Sequence, residues 1–360
     1  MTHRIHSAAL TALLAAALFG ATTPLAKALL GTLSPFVLAG LFYLGSGIGL
    51  AVTMLVQSLS RSTQSPQARA QAREARRIPA RELPWLAGAI AAGGVAGPAF
   101  LMFGLTTTPA TVTSLLLNLE GVFTAVIAWV VFRENVDWQV FLGMVAIVAG
   151  GVALSWQPGA AGVPLGALLV IAACASWAVD NNLTRKVSTN DATVIACVKG
   201  LVAGSVNLAI GLAAGARLPH AASVAAAMVT GFAGYGVSLV LFVVALRNLG
   251  TARTGAYFSV APLFGVVLSL ALWPAVPPAS FWIAAVLMAL GIWLHLRERH
   301  EHEHTHEALE HSHRHRHDAH HQHEHDFAWD GSEPHAHPHR HEPITHTHAH
   351  FPDIHHRHRH

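Results

Sequence analysis

Two sets of residues in this chain have types and spacings suited to chemistry. The first is a histidine comb. Of 27 histidines, all but His3, His6, His220 and His295 lie beyond residue 299. They fall mostly at every second position: His302, His304 and His306; His313, His315 and His317; His335, His337, His339 and His341; His346, His348 and His350. Neutral imidazole is a common ligand for Zn, Ni, Co and Cu, so the tract reads as a binder of transition-metal ions. A purification tag is a short pure run, whereas this tract is long and mixed with Glu, Asp, Arg and Pro. It lacks the fixed Cys/His spacing of a structural zinc module, so its binding would be multisite and dynamic. With so few apolar residues it cannot build a core, and residues 297–360 are expected to be disordered without metal. A pH-responsive charge cluster and a solvated tail without specific role compete with the metal reading. Acids interspersed with Arg314, Arg316, Arg340, Arg357 and Arg359 keep the charge moderate, which argues against nucleic acid as a partner.

The second set is polar residues embedded in apolar sequence. A charge deep in hydrocarbon costs about 2.5–3.5 kcal/mol on insertion scales, so such groups face a cavity or one another. Glu120 sits at the centre of an apolar stretch with Asn118 beside it. Desolvation favours the neutral acid, which suits a carboxyl there to a coupling proton or a substrate; a structural partner for a buried donor is the alternative. Asp180 and Lys199 lie at matching depths in successive stretches, which allows an ion pair serving either the site or helix packing. Asn181, Asn182 and Asn207 extend this polar set, and Thr22, Thr23 and Pro24 are weaker candidates opposite it. Trp177 and Tyr257 are aromatics away from helix ends that line a pocket or pack. Cys174 and Cys197 lie in apolar sequence and read as small packing residues. No Gly-Lys-Ser/Thr loop, nucleophile–base constellation or His-Glu-x-x-His appears in the apolar region, so an ATPase is excluded and an enzyme finds no support.

These residues need elements to hold them. Charged residues are 11% of the chain and mean hydropathy is +0.44 even with the polar tail included, against about 25% charged residues in a soluble domain. Apolar stretches of about 20 residues predict ten spanning helices, near 7–30, 34–57, 84–106, 109–132, 138–156, 164–186, 191–213, 222–246, 252–273 and 279–296. The fold expected is an all-α polytopic membrane protein followed by a disordered tail. The loop 58–83 carries Arg61, Arg69, Arg73, Arg76, Arg77 and Arg81, and Arg133, Arg185, Lys186, Arg247, Arg253, Arg297 and Arg299 share its side if the helices alternate. The positive-inside rule then places both termini and the tail in the cytoplasm of a multi-pass, bacterial-type inner membrane, with lipid as its surroundings. Trp85, Trp129, Trp138, Trp156, Trp273, Trp282 and Trp293 near helix ends suit an aromatic belt.

The two halves resemble each other. Thr106–Leu154 aligns without gaps on Arg247–His295 at an offset of 141 positions, pairing Phe123 with Phe264 and Gly150 with Gly291. Residues 1–157 and 158–296 are thus expected to be two five-helix repeats. An odd number per repeat makes them inverted, with a substrate site between them near the midplane. Gly93, Gly94, Gly97, Pro98, Gly121, Gly234, Gly236 and Pro262 would allow close packing or local unwinding.

On these residues the chain resembles a known family. Ala-Gly-Leu-Phe-Tyr-Leu-Gly (39–45), Leu-Asn-Leu-Glu-Gly-Val-Phe-Thr-Ala-Val (117–126) before Phe132-Arg133-Glu134, residues 177–186 and residues 245–253 are similar to the EamA branch of the drug/metabolite transporter superfamily. The resemblance covers roughly 8–296 and leaves the tail outside. It implies a ten-helix inner-membrane permease working by alternating access, whose relatives mostly export small metabolites. The chain departs from many relatives in lacking an arginine near Phe42-Tyr43 and in having Gly121 where they have proline.

Three functions follow as expectations. The first is a secondary-active exporter of a small polar metabolite, with a tail that buffers or senses metal and no required cofactor. The second is a transporter of divalent Zn, Ni or Co fed by the tail. The third is a membrane-anchored metal-storage protein. The apolar helices hold no histidine except His295 at an end, which weakens the second, and ten helices exceed what an anchor needs, which weakens the third.

Overall fold

In the computed structural model of the chain, the described residues are 2–60, 78–132, 138–155, 163–187, 190–249, 254, 257–296, 301–306, 309–315, 335–341 and 344–349. Arg133, Glu134, Trp156, Arg253, His317, His350 and most of the basic loop lie outside them. The chain divides into two units, one of residues 1–62 and 78–298, the other of residues 63–77 and 299–360.

The first unit is all α and polytopic. Its spans are α1 (Ala8–Leu29), α2 (Pro35–Leu59), α3 (Ala80–Thr107), α4 (Ala110–Val131), α5 (Trp138–Ser155), α6 (Leu165–Thr184), α7 (Ala192–Ala213) and α8 (Ala221–Ala245), each long and apolar enough to cross a bilayer. Two shorter apolar helices, α9 (Ala261–Leu272) and α10 (Ala279–Leu294), fall where the sequence predicts the ninth and tenth. Outward-facing positions carry apolar side chains such as Leu10, Val130, Val267 and Val286, as lipid contact requires. Trp85, Trp129, Trp138, Trp273, Trp282 and Trp293 are exposed, whereas Trp177 is half-buried.

Small residues set the closest helix approaches. Along α2 and α7, Gly40, Gly47, Gly200 and Gly204 face backbone of the opposite helix so closely that a Cβ would stand 3.0 Å or less from it. At the α5–α10 contact the approach is reciprocal. A Cβ on Gly150 would lie 3.0 Å from Ala284 O, and one on Gly291 would lie 2.6 Å from Gly143 O. Cys174 and Cys197 are buried and free, with their thiols directed at Leu116 O and Gly47 O.

Three helices depart from α geometry. Residues Ile90–Ala96 of α3 and Phe232–Val237 of α8 form π-helical turns. Gly93, Gly94, Gly234 and Gly236 lie in these turns, as local unwinding would require. A Cβ on Gly93 would overlap the Asp180 carboxyl, and one on Gly234 would overlap the Thr22 methyl. Helix α4 is broken between Ala110–Leu116 and Leu119–Phe132, and a turn at Ser259-Val260 precedes α9. Pro262 stands in the first turn of α9, where its missing N–H has no partner to lose. Gly121 occupies the corresponding turn of α4 but does not serve close packing: nothing lies within 4 Å of a Cβ placed there.

The second unit holds four short strands, β1 (Glu301–His306), β2 (Leu309–His315), β3 (His335–His341) and β4 (Ile344–Ala349). β1 pairs antiparallel with β4, His302 opposite His348, and β2 with β3, His313 opposite His337. The sequence predicts disorder here. Histidine at every second position has the two-residue period of extended backbone, which is why ladders fit it, although a two-stranded ladder alone is marginal in water.

Candidate functional site

The polar residues of the membrane unit converge from α2, α4, α6, α7 and the π turn of α3. Neighbouring positions on one helix point in different directions, and this separates their roles. Asp180 and Asn182 of α6 are buried, while Asn181 between them is exposed. Asn181 Nδ2 donates to Glu120 Oε1 at 2.8 Å and to Thr124 Oγ1 at 3.3 Å, joining α6 to the second half of α4. Asn182 Nδ2 donates to Ala178 O at 2.9 Å and Thr124 O at 3.3 Å.

Glu120 lies in the first turn after the break in α4, with its own N–H bonded to Leu117 O at 3.1 Å. The side chain is half-buried. Its Oε2 has no hydrogen bond among the described residues and is not fully enclosed. Asn118, one residue before the second half of α4, is turned elsewhere. Its Nδ2 donates to Leu115 O at 2.9 Å and approaches Met288 Sδ at 3.7 Å, so it caps the first half of α4.

On the other side of α6 the Lys199 ammonium of α7 donates to both carboxylate oxygens of Asp180, at 2.6 and 2.7 Å. Thr184 Oγ1 donates to Asp180 Oδ1 at 2.8 Å. Asp180 and Lys199 also act electrostatically on Glu120.

The π turn of α3 supplies carbonyl groups to this cluster. Gly93 O accepts from Tyr43 Oη and from Trp177 Nε1, each at 2.9 Å. Gly94 O accepts from Asn207 Nδ2 at 2.8 Å. Within hydrocarbon every backbone carbonyl needs a protein partner, and glycine lets these side chains come close.

An aromatic wall reaches this cluster through Tyr43, whose hydroxyl shares Gly93 O with Trp177, one helical turn before Asn181. Tyr43 and Tyr235 have ring centroids 5.3 Å apart, Phe19 lies 6.0 Å from Tyr235 and 5.5 Å from Phe258, and Phe242 lies 4.8 Å from Phe258. Thr22 donates to Phe19 O at 2.6 Å, and Thr23 is buried on α1. Tyr257 is half-buried in the short turn of helix ahead of α9.

The structure thus brings together Glu120, Asn181, Asp180, Lys199 and Trp177, while Asn118 belongs to the break in α4. Sequence reasoning missed Tyr43, Tyr235, Thr124 and Thr184. A signal was available for the tyrosines: the chain has only three, and all lie within apolar stretches. Among the described residues no group of three or more His, Cys, Asp and Glu side chains is placed to hold a metal ion.

Comparison with known proteins agrees with this architecture. The model of the EamA-like transporter family matches residues 6–156 and again residues 164–297. An uncharacterized transporter of Methanothermobacter thermautotrophicus is 31% identical over 188 residues, 49% of this chain and 53% of that protein. The chain therefore spans about half the length of that relative. A probable terminal-alkyne amino-acid exporter of Streptantibioticus cattleyicolor is 28% identical over 222 residues, 61% of this chain and 75% of that protein. A solved crystal structure of a protein 19% identical in sequence shares the fold at a TM-score of 0.57, covering 81% of this chain and 96% of its own.

Proposed function

From the premise that the chain belongs to the EamA-like transporter family, we propose that it exports a small polar metabolite by alternating access across a bacterial-type inner membrane. Membership makes it a secondary transporter of the membrane and not an enzyme. The observation that carries the finer reading is Glu120: a carboxylate inside the bilayer, at a helix break, held on one oxygen by Asn181 and open on the other. Such a group has the position and chemistry to bind a polar cargo or a coupling proton.

Alternating access between two inverted five-helix repeats, 1–157 and 158–296, is supported by paired features. The family model matches twice. The π turns Ile90–Ala96 and Phe232–Val237 and the breaks before Leu119 and Ala261 stand about 141 positions apart, the offset between the halves. Asp180 meets Gly93 as Thr22 meets Gly234, and the Gly150–Ala284 contact repeats as Gly143–Gly291. Discontinuous helices at the midplane are how many secondary transporters build a site. The arginine distribution supports cytoplasmic termini. Outward direction is supported by the exporter from Streptantibioticus cattleyicolor. The tail 297–360 is proposed to buffer or sense transition-metal ions in the cytoplasm, on the ligand chemistry of its histidines.

Flux in proteoliposomes tests the reading. Counterflow of labelled small polar metabolites that is lost in Glu120→Gln supports it. Zinc, nickel or cobalt flux that survives removal of 300–360 but not Glu120→Gln would replace it with metal transport.

A further inference from the structure

Resting on the reading of the chain as a transporter, we propose that its cargo is an organic ammonium monocation, with Glu120 as counter-charge and the Tyr43–Tyr235 wall against its apolar part. Charge balance in the site leads there. Asp180 and Lys199 neutralise each other through two hydrogen bonds. Lys199 has its remaining described contact with Thr184, at 3.4 Å. Glu120 is the remaining acidic group of the site, with only the neutral Asn181 as hydrogen-bond donor. With Asp180 and Lys199 paired, ionised Glu120 would be the one unbalanced charge among the described residues of the site, and a bound cation would balance it.

The surroundings select among cations. Glu120 is held by α6 through Asn181, one helical turn from Trp177, which shares Gly93 O with Tyr43 of α2, whose ring lies 5.3 Å from that of Tyr235 of α8. A transition metal would want several ligands, and no group of three stands here among the described residues. Aromatic faces attract organic cations and accept their apolar parts. A zwitterion would bring a carboxylate for which the site has no uncommitted cation among those residues, because Lys199 is held by Asp180. A dication would exceed the single open carboxylate.

Proteoliposomes bearing the full chain separate these classes. Three labelled probes of one size are compared in counterflow: phenethylammonium, phenylalanine and 3-phenylpropionate. Phenethylammonium is expected to move about tenfold faster than the other two, and Glu120→Gln to lower that flux about tenfold, the loss typical of one charge-assisted hydrogen bond. Preference for phenylalanine or phenylpropionate overturns the ammonium assignment and leaves the transporter reading intact. Phenethylammonium flux unchanged in Glu120→Gln overturns the role of Glu120. Movement of none of the three overturns the ammonium assignment, while the transport reading stands or falls on the counterflow of polar metabolites. The probe comparison uses the unaltered protein, so it decides the charge class even where the variant does not fold.

Discussion

Asp180 and Lys199 form a closed pair: the ammonium donates to both carboxylate oxygens, at 2.6 and 2.7 Å, across the interface of α6 and α7. The carboxyl also fills the place that a side chain at residue 93 would need. One pair therefore ties α6, α7 and the π turn of α3 together.

Removing one member strands the other in low dielectric. Lys199→Met is expected to destabilise the membrane unit by about 3–5 kcal/mol, and Asp180→Asn with Lys199→Met to recover most of that loss. Thermal unfolding in detergent, followed by size-exclusion recovery, measures both. A single variant as stable as the double would mean that the pair does not act as a unit.

Glu120→Gln keeps an oxygen to accept from Asn181 and removes only the charge. Its melting temperature is expected to stay within a few degrees of the native value while flux falls about tenfold. Equal losses in folding and flux would assign Glu120 to packing.

Glycine positions that look alike in sequence should differ sharply. Gly93→Val collides with Asp180 and should abolish recovery of folded protein, whereas nothing lies near a Cβ at Gly121. Gly121→Ala, in a helix, should be neutral or stabilise by up to about 1 kcal/mol. Comparing the two by yield and melting temperature checks the assignment.

Tyr43 and Trp177 share one acceptor, Gly93 O. Tyr43→Phe or Trp177→Phe alone leaves that carbonyl with one donor and should cost about 0.5–1.5 kcal/mol. Both changes together leave it unpaired inside the bilayer, so a loss greater than the sum of the singles is expected in a double-mutant cycle.

Deleting 300–360 should leave an inserted, folded permease and remove most zinc and nickel binding. In the full chain, retention on a metal column should fall as pH drops through about 6.5, because protonated imidazole has no lone pair for a metal. Equilibrium dialysis of both forms reads the difference. Failure of the shortened chain to insert would overturn the separation of tail and permease.

Much of the architecture is legible in one dimension. Apolar runs of bilayer length locate the spans because hydrocarbon admits few charges, and the few exceptions, Glu120, Asp180 and Lys199, are conspicuous for that reason. Depth along each helix even allows the Asp180–Lys199 pair. Direction around a helix axis was harder to read. Asn118 and Asn181 were equal candidates by sequence, yet one caps a broken helix and the other reaches Glu120. Trp177 and Tyr257 stand out by sequence, whereas Tyr43 and Tyr235 gain their place only from contacts, Tyr43 with Gly93 O and with the Tyr235 ring.

The sequence by itself determined that this is a polytopic helical membrane protein with a metal-ligand-rich tail, since solvation of whole segments depends on composition and length. Only the tertiary structure decided which buried charge is neutralised and which stays open. That depends on which helices are neighbours and on how far their axes are turned, quantities set by small-residue contacts such as Gly93 against Asp180 and by the breaks and π turns that reorient each half-helix.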